Sequence, residues 1–204
     1  YDELVRSINL ETEIIRDLED DCFEMHYQPI VDLASGRPVG FEALIRWYHR
    51  RWGLLPARDF LPMAEANGLI GRIDEWVLER VCSQLAAWEL EYGEETPFIT
   101  VNLSRAELAD PDFGARAVET IEASGVSPSR LRVEVTETKW TDALDTVVDN
   151  LEMLSEAGVS IWLDDFGVGW SSMKALQMFP IDGIKIDRTF LVDDRESIFL
   201  CMAQ

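Results

Sequence analysis

Five short apolar runs along the chain each contain or end in a polar residue that can bind a metal or transfer a proton. These residues are Glu42, Asn102, Glu134, Asp164 and Lys185. After the first two, the runs recur about every thirty residues, which is the length of one strand–helix–strand unit. The pattern predicts parallel strands that bring these side chains to one end of a sheet, as on the rim of a barrel.

The spacing of apolar residues between and around these runs predicts the remaining elements. Strands are predicted over residues 24–31 and 39–47, joined by a turn at Ala34-Ser35-Gly36, and over residues 98–103, 131–136, 160–164 and 183–186. Helices are predicted over residues 1–20, 56–67, 73–88, 112–123 and 141–157, with a last helix beginning near Asp193. Gly158 is the expected residue after the end of the fifth helix, since glycine tolerates the left-handed conformation there.

Repeated strand–helix units predict a parallel α/β fold. An open doubly wound sheet usually carries a glycine-rich phosphate loop after its first strand, and the nearest match, Gly167-Val168-Gly169, is late and lacks the third glycine. A (β/α)8 barrel agrees better with the positions of the polar residues. Only six strands are predicted, however, so the barrel is two strands short.

Composition indicates one ordinary globular domain. The 204 residues are 47% hydrophobic and 28% charged, which suits a single core. The three cysteines lack metal-type spacing, as expected for reduced thiols. The net charge of −21 disfavours nucleic acid polymers and anionic membranes as partners. A small phosphate ligand is compatible with this charge where a metal ion inverts it locally.

Each candidate residue also has an ordinary structural explanation when it is taken alone. Asn102, with Ser104, could cap the next helix, and Lys185 could point to solvent. Their joint placement on successive strands favours a shared site, because buried charge is costly unless it is paired or metal-bound. Carboxylate and amide oxygens are hard donors, which suit Mg²⁺ or Mn²⁺.

Six ordered motifs give the chain a resemblance to the EAL-domain cyclic di-GMP phosphodiesterases. They are Tyr27-Gln28-Pro29-Ile30-Val31-Asp32-Leu33, Phe41-Glu42-Ala43-Leu44-Ile45-Arg46-Trp47, Val101-Asn102-Leu103-Ser104, Glu134-Val135-Thr136-Glu137, Asp164-Asp165-Phe166-Gly167 and Lys185-Ile186-Asp187. The resemblance implies a TIM-like (β/α)8 barrel with an antiparallel first strand. It also implies hydrolysis of cyclic di-GMP to linear pGpG with two Mg²⁺ or Mn²⁺ ions.

The resemblance also implies a role for individual residues. A first metal is expected on Glu42, Asn102, Glu134 and Asp164, and a second metal on Asp164 and Asp165. Lys185 is expected to orient the attacking water or to take its proton. Gln28, Leu44 and Arg46 are expected to line the substrate groove. Glu137 is expected to stabilise the loop after Asp165.

Three departures from the family pattern modify these expectations. Val168 and Trp170 replace the threonine and tyrosine of the usual loop, and the chain ends at Gln204, before the family's seventh and eighth strands. We therefore expect residues 21–204 to form a barrel that is incomplete at its C-terminus. An open barrel exposes strand edges, so we expect a chain that either self-associates or is loosely ordered in its last helix.

Further expectations concern the context of the domain. Residues 1–20 are expected to be a helix that either links to an upstream GGDEF or sensory domain or closes one end of the barrel. A homodimer, where one forms, is expected to use the segment after Asp165 with Val168, Trp170 and Met173; core packing of Trp170 is the alternative. The expected location is the cytoplasm, or the cytoplasmic part of a membrane-bound signalling protein.

Three functions remain open from the sequence. The first is the metal-dependent phosphodiesterase. The second is a catalytically inactive EAL domain that acts as a cyclic di-GMP receptor or regulatory module, which the missing C-terminal strands favour. The third is a metal-dependent barrel that abstracts a proton next to a carboxylate, and the Glu-Ala-Leu and Asp-Asp-Phe-Gly motifs argue against it.

Overall fold

The fold is given by a computed structural model that describes residues 2–136, 143–167 and 176–191. Glu137, the segment from Val168 to Met173 and the helix expected near Asp193 lie outside these residues. The expectations about the Glu137 role, the dimer segment and the last helix therefore stay predictions.

Helices and strands alternate along most of the described chain. The helices are α1 (Asp2–Glu19), α2 (Ala57–Ala66), α3 (Ile70–Tyr92), α4 (Arg105–Leu108), α5 (Phe113–Ser124) and α6 (Leu144–Glu156). The strands are β1 (Phe23–Val31), β2 (Pro38–His49), β3 (Gly53–Pro56), β4 (Phe98–Asn102), β5 (Leu131–Thr136), β6 (Ser160–Phe166) and β7 (Gly183–Ile186). Three single-turn 3₁₀ helices lie at Gly93–Glu95, Pro128–Arg130 and Arg188–Leu191.

All seven described strands belong to one sheet with the order β1-β2-β4-β5-β6-β7, and β3 pairs with β2. β1 runs antiparallel to β2, whereas β2, β4, β5, β6 and β7 are mutually parallel. This direction change confirms the predicted antiparallel first strand. Within the described residues β1 and β7 are the two ends of the sheet and do not pair with each other.

The two faces of the sheet differ in polarity because side chains alternate along each strand. On β2, Ala43, Ile45 and Trp47 are buried against the helices, while Glu42, Leu44 and Arg46 lie on the opposite face and are only partly buried. The aromatic part of the helix-facing core contains Phe23, stacked on Trp47 with ring centroids 5.2 Å apart, and Phe60. One face of the sheet is therefore core, and the other carries the polar residues.

Helix α1 packs onto the helix-facing side of β2 through polar as well as apolar contacts. Ile14 and Asp17 are fully buried. The indole N–H of Trp47 donates to Asp17 Oδ2 at 3.0 Å, and Arg16 donates to Asp17 Oδ1. Asp17 is thus a buried acid whose two oxygens both have donors, which fixes the C-terminal half of α1 to the sheet.

The structure differs from the predicted elements at two short segments and one helix length. β3 is absent from the predicted elements, which place nothing between the strand over residues 39–47 and the helix over residues 56–67, but β2 extends far enough to pair with it. α4 was missed because four residues carry no periodic signal. α3 is longer than the predicted 73–88 and runs to Tyr92. Its last turn faces solvent, with Leu90 91% and Tyr92 49% exposed, so the buried apolar stripe ends before the helix does.

Candidate functional site

The polar face of the sheet gathers three carboxylates and one amide from four parallel strands. Glu42, Asn102, Glu134 and Asp164 lie on β2, β4, β5 and β6. Asn102 is opposite Glu134 in the register of β4 and β5, and Asp164 is opposite Thr136 in that of β5 and β6. Parallel strands end at the same edge, so residues far apart in sequence become neighbours.

Lys185, on β7, lies at the centre of these acids. Its Nζ is 2.7 Å from Glu134 Oε2, 3.1 Å from Glu42 Oε2 and 3.5 Å from Asp164 Oδ2. We call Glu42, Glu134, Asp164 and Lys185 the acid–lysine cluster. Lys185 therefore does not point freely into solvent, which was its ordinary structural explanation.

Asn102 joins the edge of this cluster. Its amide Nδ2 donates to Glu42 Oε1 at 3.0 Å. The nearby helix α4 is capped instead by Ser104, whose hydroxyl accepts from the backbone N–H of Glu107 at 3.2 Å. The capping role and the site role thus fall to two different residues, Ser104 and Asn102.

The residues expected in the substrate groove lie on the first hairpin beside the cluster. Gln28 is paired with Glu42 across β1 and β2. Leu44 and Arg46 follow Glu42 at intervals of two residues, which places all three on one face of β2. The Arg46 guanidinium donates to the carbonyl of Ile45 at 2.9 Å, so one of its donors is satisfied by the backbone.

Asp165 is next to the cluster but has a different environment. Its backbone φ is +54°, and its N–H donates to Asp164 Oδ1 at 2.7 Å. Its carboxyl group is hydrogen-bonded to Asp187, and burial, followed by the charges of Asp164 and Asp187, raises its pKa. Asp187 was quoted in the Lys-Ile-Asp motif without a role, and its contact with Asp165 only appears once β6 and β7 are side by side.

The charges in the cluster depend strongly on each other. Burial raises the pKa of Glu134 to about 7, against the lowering effect of the Lys185 hydrogen bond. Burial by itself lowers the pKa of Lys185, but the hydrogen bond and charge of Glu134, with the charges of Asp164 and Glu42, raise it above its usual value. The lysine is therefore an ammonium ion surrounded by acids.

The polar face of the sheet also carries the Arg132 guanidinium between two aromatic rings. The Arg132 guanidinium carbon lies 3.3 Å from the centroid of the Phe98 ring and 4.6 Å from that of Trp162. The rings fit because glycines lie beside them: a Cβ on Gly40 would be 2.2 Å from Phe98, and one on Gly183 would be 2.6 Å from Trp162. No pattern in the sequence indicates this arrangement.

The residues of the cluster suit a hard divalent cation. Three carboxylates already surround one positive charge, the Lys185 ammonium, and their oxygens with the Asn102 amide are the ligand types that Mg²⁺ and Mn²⁺ prefer. Within the described ranges, no three His, Cys, Asp or Glu side chains form a ready-made metal group. Because Lys185 lies among the carboxylates, their arrangement here is that of a salt-bridge cluster.

The structure thus brings five predicted residues together: Glu42, Asn102, Glu134, Asp164 and Lys185. It places Asp165 beside them and Gln28, Leu44 and Arg46 on the neighbouring hairpin face. Glu137 lies outside the described residues.

A largely parallel sheet, an antiparallel first strand and an acidic group at the strand ends define a class of α/β proteins with a barrel-rim site. Within that class, the family model of the EAL domain matches residues 11–201. The chain belongs to the EAL domain family, whose domains are TIM-like barrels, and it forms a partial barrel of that type.

The similar proteins include a phosphodiesterase and a signalling protein from two bacteria. The chain is 39% identical over 188 residues to the cyclic di-GMP phosphodiesterase NbdA of Pseudomonas aeruginosa, covering 92% of this chain and 24% of the relative. It is 43% identical over 183 residues to a signalling protein of Caulobacter vibrioides, covering 90% of this chain and 22% of the relative. The chain therefore spans about a quarter of the length of these relatives.

A solved structure agrees with the fold. The PaMucR phosphodiesterase in complex with c-di-GMP superimposes with a TM-score of 0.81 at 39% identity, covering 90% of this chain and 74% of that chain. No helix in the described part of the chain is long and apolar enough to cross a membrane.

Proposed function

We propose that the domain hydrolyses cyclic di-GMP to linear pGpG with Mg²⁺ or Mn²⁺. The observation that carries the proposal is the convergence of Glu42, Glu134 and Asp164 on one cationic centre, with Asn102 at its edge. Family membership and the similarity to NbdA and to the MucR complex support the choice of substrate.

The proposed reaction is the addition of one water to one phosphodiester bond. The water oxygen bonds to phosphorus, the bond from phosphorus to the 3′ oxygen breaks, and the 3′ oxygen takes a proton. Bound ions would supply an activated water and positive charge for the phosphate oxygens. Glu42, Asn102, Glu134 and Asp164 would hold a first ion, and Asp164 with Asp165 a second.

Lys185 has a distinct place in this proposal. As an ammonium among three carboxylates it can donate a hydrogen bond to water or to a phosphate oxygen. Both roles expected from the sequence, orienting the attacking water and taking its proton, stay part of the proposal. Arg46, on the same face as Glu42, would make a forked contact to phosphate, and Gln28 and Leu44 would line the groove.

The experiment is hydrolysis by the protein at its natural full length, followed by chromatography. We expect pGpG in the presence of Mn²⁺ or Mg²⁺ and its loss after chelation. If cyclic di-GMP binds measurably but is not hydrolysed at any metal concentration, the second candidate function replaces the phosphodiesterase.

That second candidate is a receptor or regulatory domain that binds cyclic di-GMP without turnover. The observation in its favour is that Lys185 gives each of the three carboxylates a hydrogen-bond partner in the described cluster. The two candidates differ in one measurable respect, because only the enzyme requires the ions for its output.

The context of the domain belongs to the same proposal. The greater length of the relatives supports α1 as a connection from an upstream GGDEF or sensory domain. A nucleotide substrate supports a cytoplasmic site, and the net charge of −21 supports a small ligand over a nucleic acid polymer. A homodimer through the segment after Asp165 stays a prediction.

A further inference from the structure

A buried carboxylate from α3 holds the loop that follows Asn102. Asp74 is 7% exposed, and its Oδ2 accepts a hydrogen bond from the backbone N–H of Ser104 at 3.1 Å. The Ser104 side chain is also hydrogen-bonded to Asp74. Ser104 follows Asn102 by two residues and caps α4. Asp74 therefore holds the backbone at the point where the chain leaves β4.

Helix α4 depends on such contacts because a four-residue helix has no stability of its own. Its far end is held by different groups: Arg116 contacts Glu107 Oε1 at 3.2 Å and Asp110 Oδ2 at 2.8 Å. The amide of Asn150 donates to the carbonyls of Leu108 and Asp110 at 2.9 and 2.8 Å. Asp74 acts at the opposite end, next to Asn102.

The direction of Asn102 is set by the backbone on its C-terminal side. The N–H of Leu103 donates to the carbonyl of Glu134 at 3.1 Å, and the next N–H, that of Ser104, donates to Asp74. The Asn102 side chain itself is exposed and has a hydrogen bond to Glu42 Oε1. Two consecutive hydrogen bonds from backbone N–H groups therefore orient the Asn102 side chain, which is not confined by packing.

We infer that Asp74 is a positioning residue for Asn102, holding the loop between β4 and α4 so that the Asn102 amide faces Glu42. This inference deepens the proposed function and rests on it for the role of Asn102 as a metal ligand. A buried carboxylate is expensive unless hydrogen-bonded, and a leucine at this position would pack without that cost. The hydrogen bond to Ser104 therefore explains why this buried position carries a carboxylate and not an apolar side chain.

The test compares three variants of the full-length protein. Asp74→Leu removes the acceptor, and Asp74→Asn keeps one. Asn150→Leu is the matched control, because it removes another buried polar group (1% exposed) that holds the carbonyls of Leu108 and Asp110 at the far end of α4. The readouts are the Mn²⁺ affinity, by isothermal titration calorimetry, and the side-chain amide NMR signals of Asn102, assigned by their loss in Asn102→Ala.

We expect Asp74→Leu to weaken Mn²⁺ binding about tenfold, the usual effect of losing a group that orients a ligand, and to shift the Asn102 amide signals. Asp74→Asn and Asn150→Leu should stay within about twofold of the wild type. Equal losses in Asp74→Leu and Asn150→Leu, or unmoved Asn102 signals in Asp74→Leu, would overturn the inference.

A second variant covers the case in which Asp74→Leu does not fold. Ser104→Pro removes the donor from the other side, and the φ of −74° at Ser104 suits proline. It should shift the Asn102 signals in the same way, and unmoved signals would overturn the inference. The NMR readout needs no turnover. A wild type that never makes pGpG would therefore contradict the proposed function while the Asn102 signals still decide the role of Asp74.

Discussion

The ammonium nitrogen of Lys185 lies 2.7 Å from Oε2 of Glu134, although 51 positions separate the two residues in the chain. The Glu134 side chain is 4% exposed and that of Lys185 is 37% exposed. The contact pairs a nearly buried acid with a partly hydrated base. It ties β7 to β5 across β6 and gives the acids of the site a common counter-ion.

Lys185→Met should lower the stability of the protein when divalent cations are removed. The three carboxylates of the cluster then lose their shared partner and repel one another. Because Lys185 is partly exposed, we expect a loss of about 1–3 kcal/mol in the free energy of unfolding, between the values for surface and buried pairs. Urea denaturation in a chelating buffer measures this loss.

The control is Arg80→Met, which breaks the exposed pair with Asp21 (side chains 50% and 76% exposed). It should cost less than about 1 kcal/mol. Added Mn²⁺ should recover stability in Lys185→Met and leave Arg80→Met no closer to the wild type than before. Equal losses in the two variants would contradict the role of Lys185 as the counter-ion of the cluster.

Glu42→Gln should preserve the fold and abolish most of the turnover. The substitution keeps the size of the side chain and an acceptor for Asn102, but it removes a negative charge that the proposed mechanism needs to hold a metal ion. We expect a fall in rate of at least about a hundredfold, measured as pGpG formed per minute. The affinity for cyclic di-GMP should change much less. A variant with the wild-type rate would exclude Glu42 from the site.

Asp74→Asn should change how stability depends on pH. Burial raises the pKa of Asp74 to about 7, with the charges of Glu107 and Glu65 adding to the rise and the bonds from Ser104 opposing it. Protonation is therefore more favourable in the folded state than in the unfolded chain, where the pKa is about 4. The contribution of Asp74 is most favourable below pH 4 and is lost as the pH rises through 7.

The amide variant does not titrate, so its free energy of unfolding should fall less between pH 4 and pH 7.5 than that of the wild type. The difference should reach a few kcal/mol. Parallel pH dependences of the two proteins would show that Asp74 is ionised in the folded state throughout this range.

Asp17→Leu should detach the C-terminal half of α1 from β2. The substitution leaves the buried indole N–H of Trp47 without its acceptor, which costs about 1–3 kcal/mol. Asp20→Leu is the control, because the Asp20 side chain is 51% exposed and its contact with Arg16 is 4.0 Å long. Amide exchange in α1 should rise in Asp17→Leu alone. Unchanged exchange there would mean that packing of Ile14 is sufficient to hold the helix.

The sequence predicted the strands well because their apolar runs and polar ends recur with the period of a strand–helix unit. It also identified the residues that meet at Lys185, since parallel strands must bring their ends to one edge. It could not predict contacts that depend on which side chains of neighbouring strands lie next to each other. Arg132 looks like a surface residue until Phe98 and Trp162 enclose it.

Asp74 illustrates a second limit. It lies in an amphipathic helix, where an aspartate is ordinarily on the solvated face, and its burial follows only from the position of the loop at Ser104. Asp187 was visible in a motif, but its hydrogen bond to Asp165 depends on the pairing of β6 with β7, whose register shifts between Leu163 and Phe166. Local patterns carry no information on such tertiary pairings.

Single-turnover hydrolysis in ¹⁸O-labelled water tests the central claim most directly. Protein in excess over cyclic di-GMP is mixed with Mn²⁺, and bound and converted nucleotide are measured in the same samples by filtration and mass spectrometry. The account predicts pGpG with one ¹⁸O atom in its terminal phosphate, and bound but unconverted cyclic di-GMP with Glu42→Gln. Saturated binding by the wild type with no pGpG at any Mn²⁺ or Mg²⁺ concentration would contradict it.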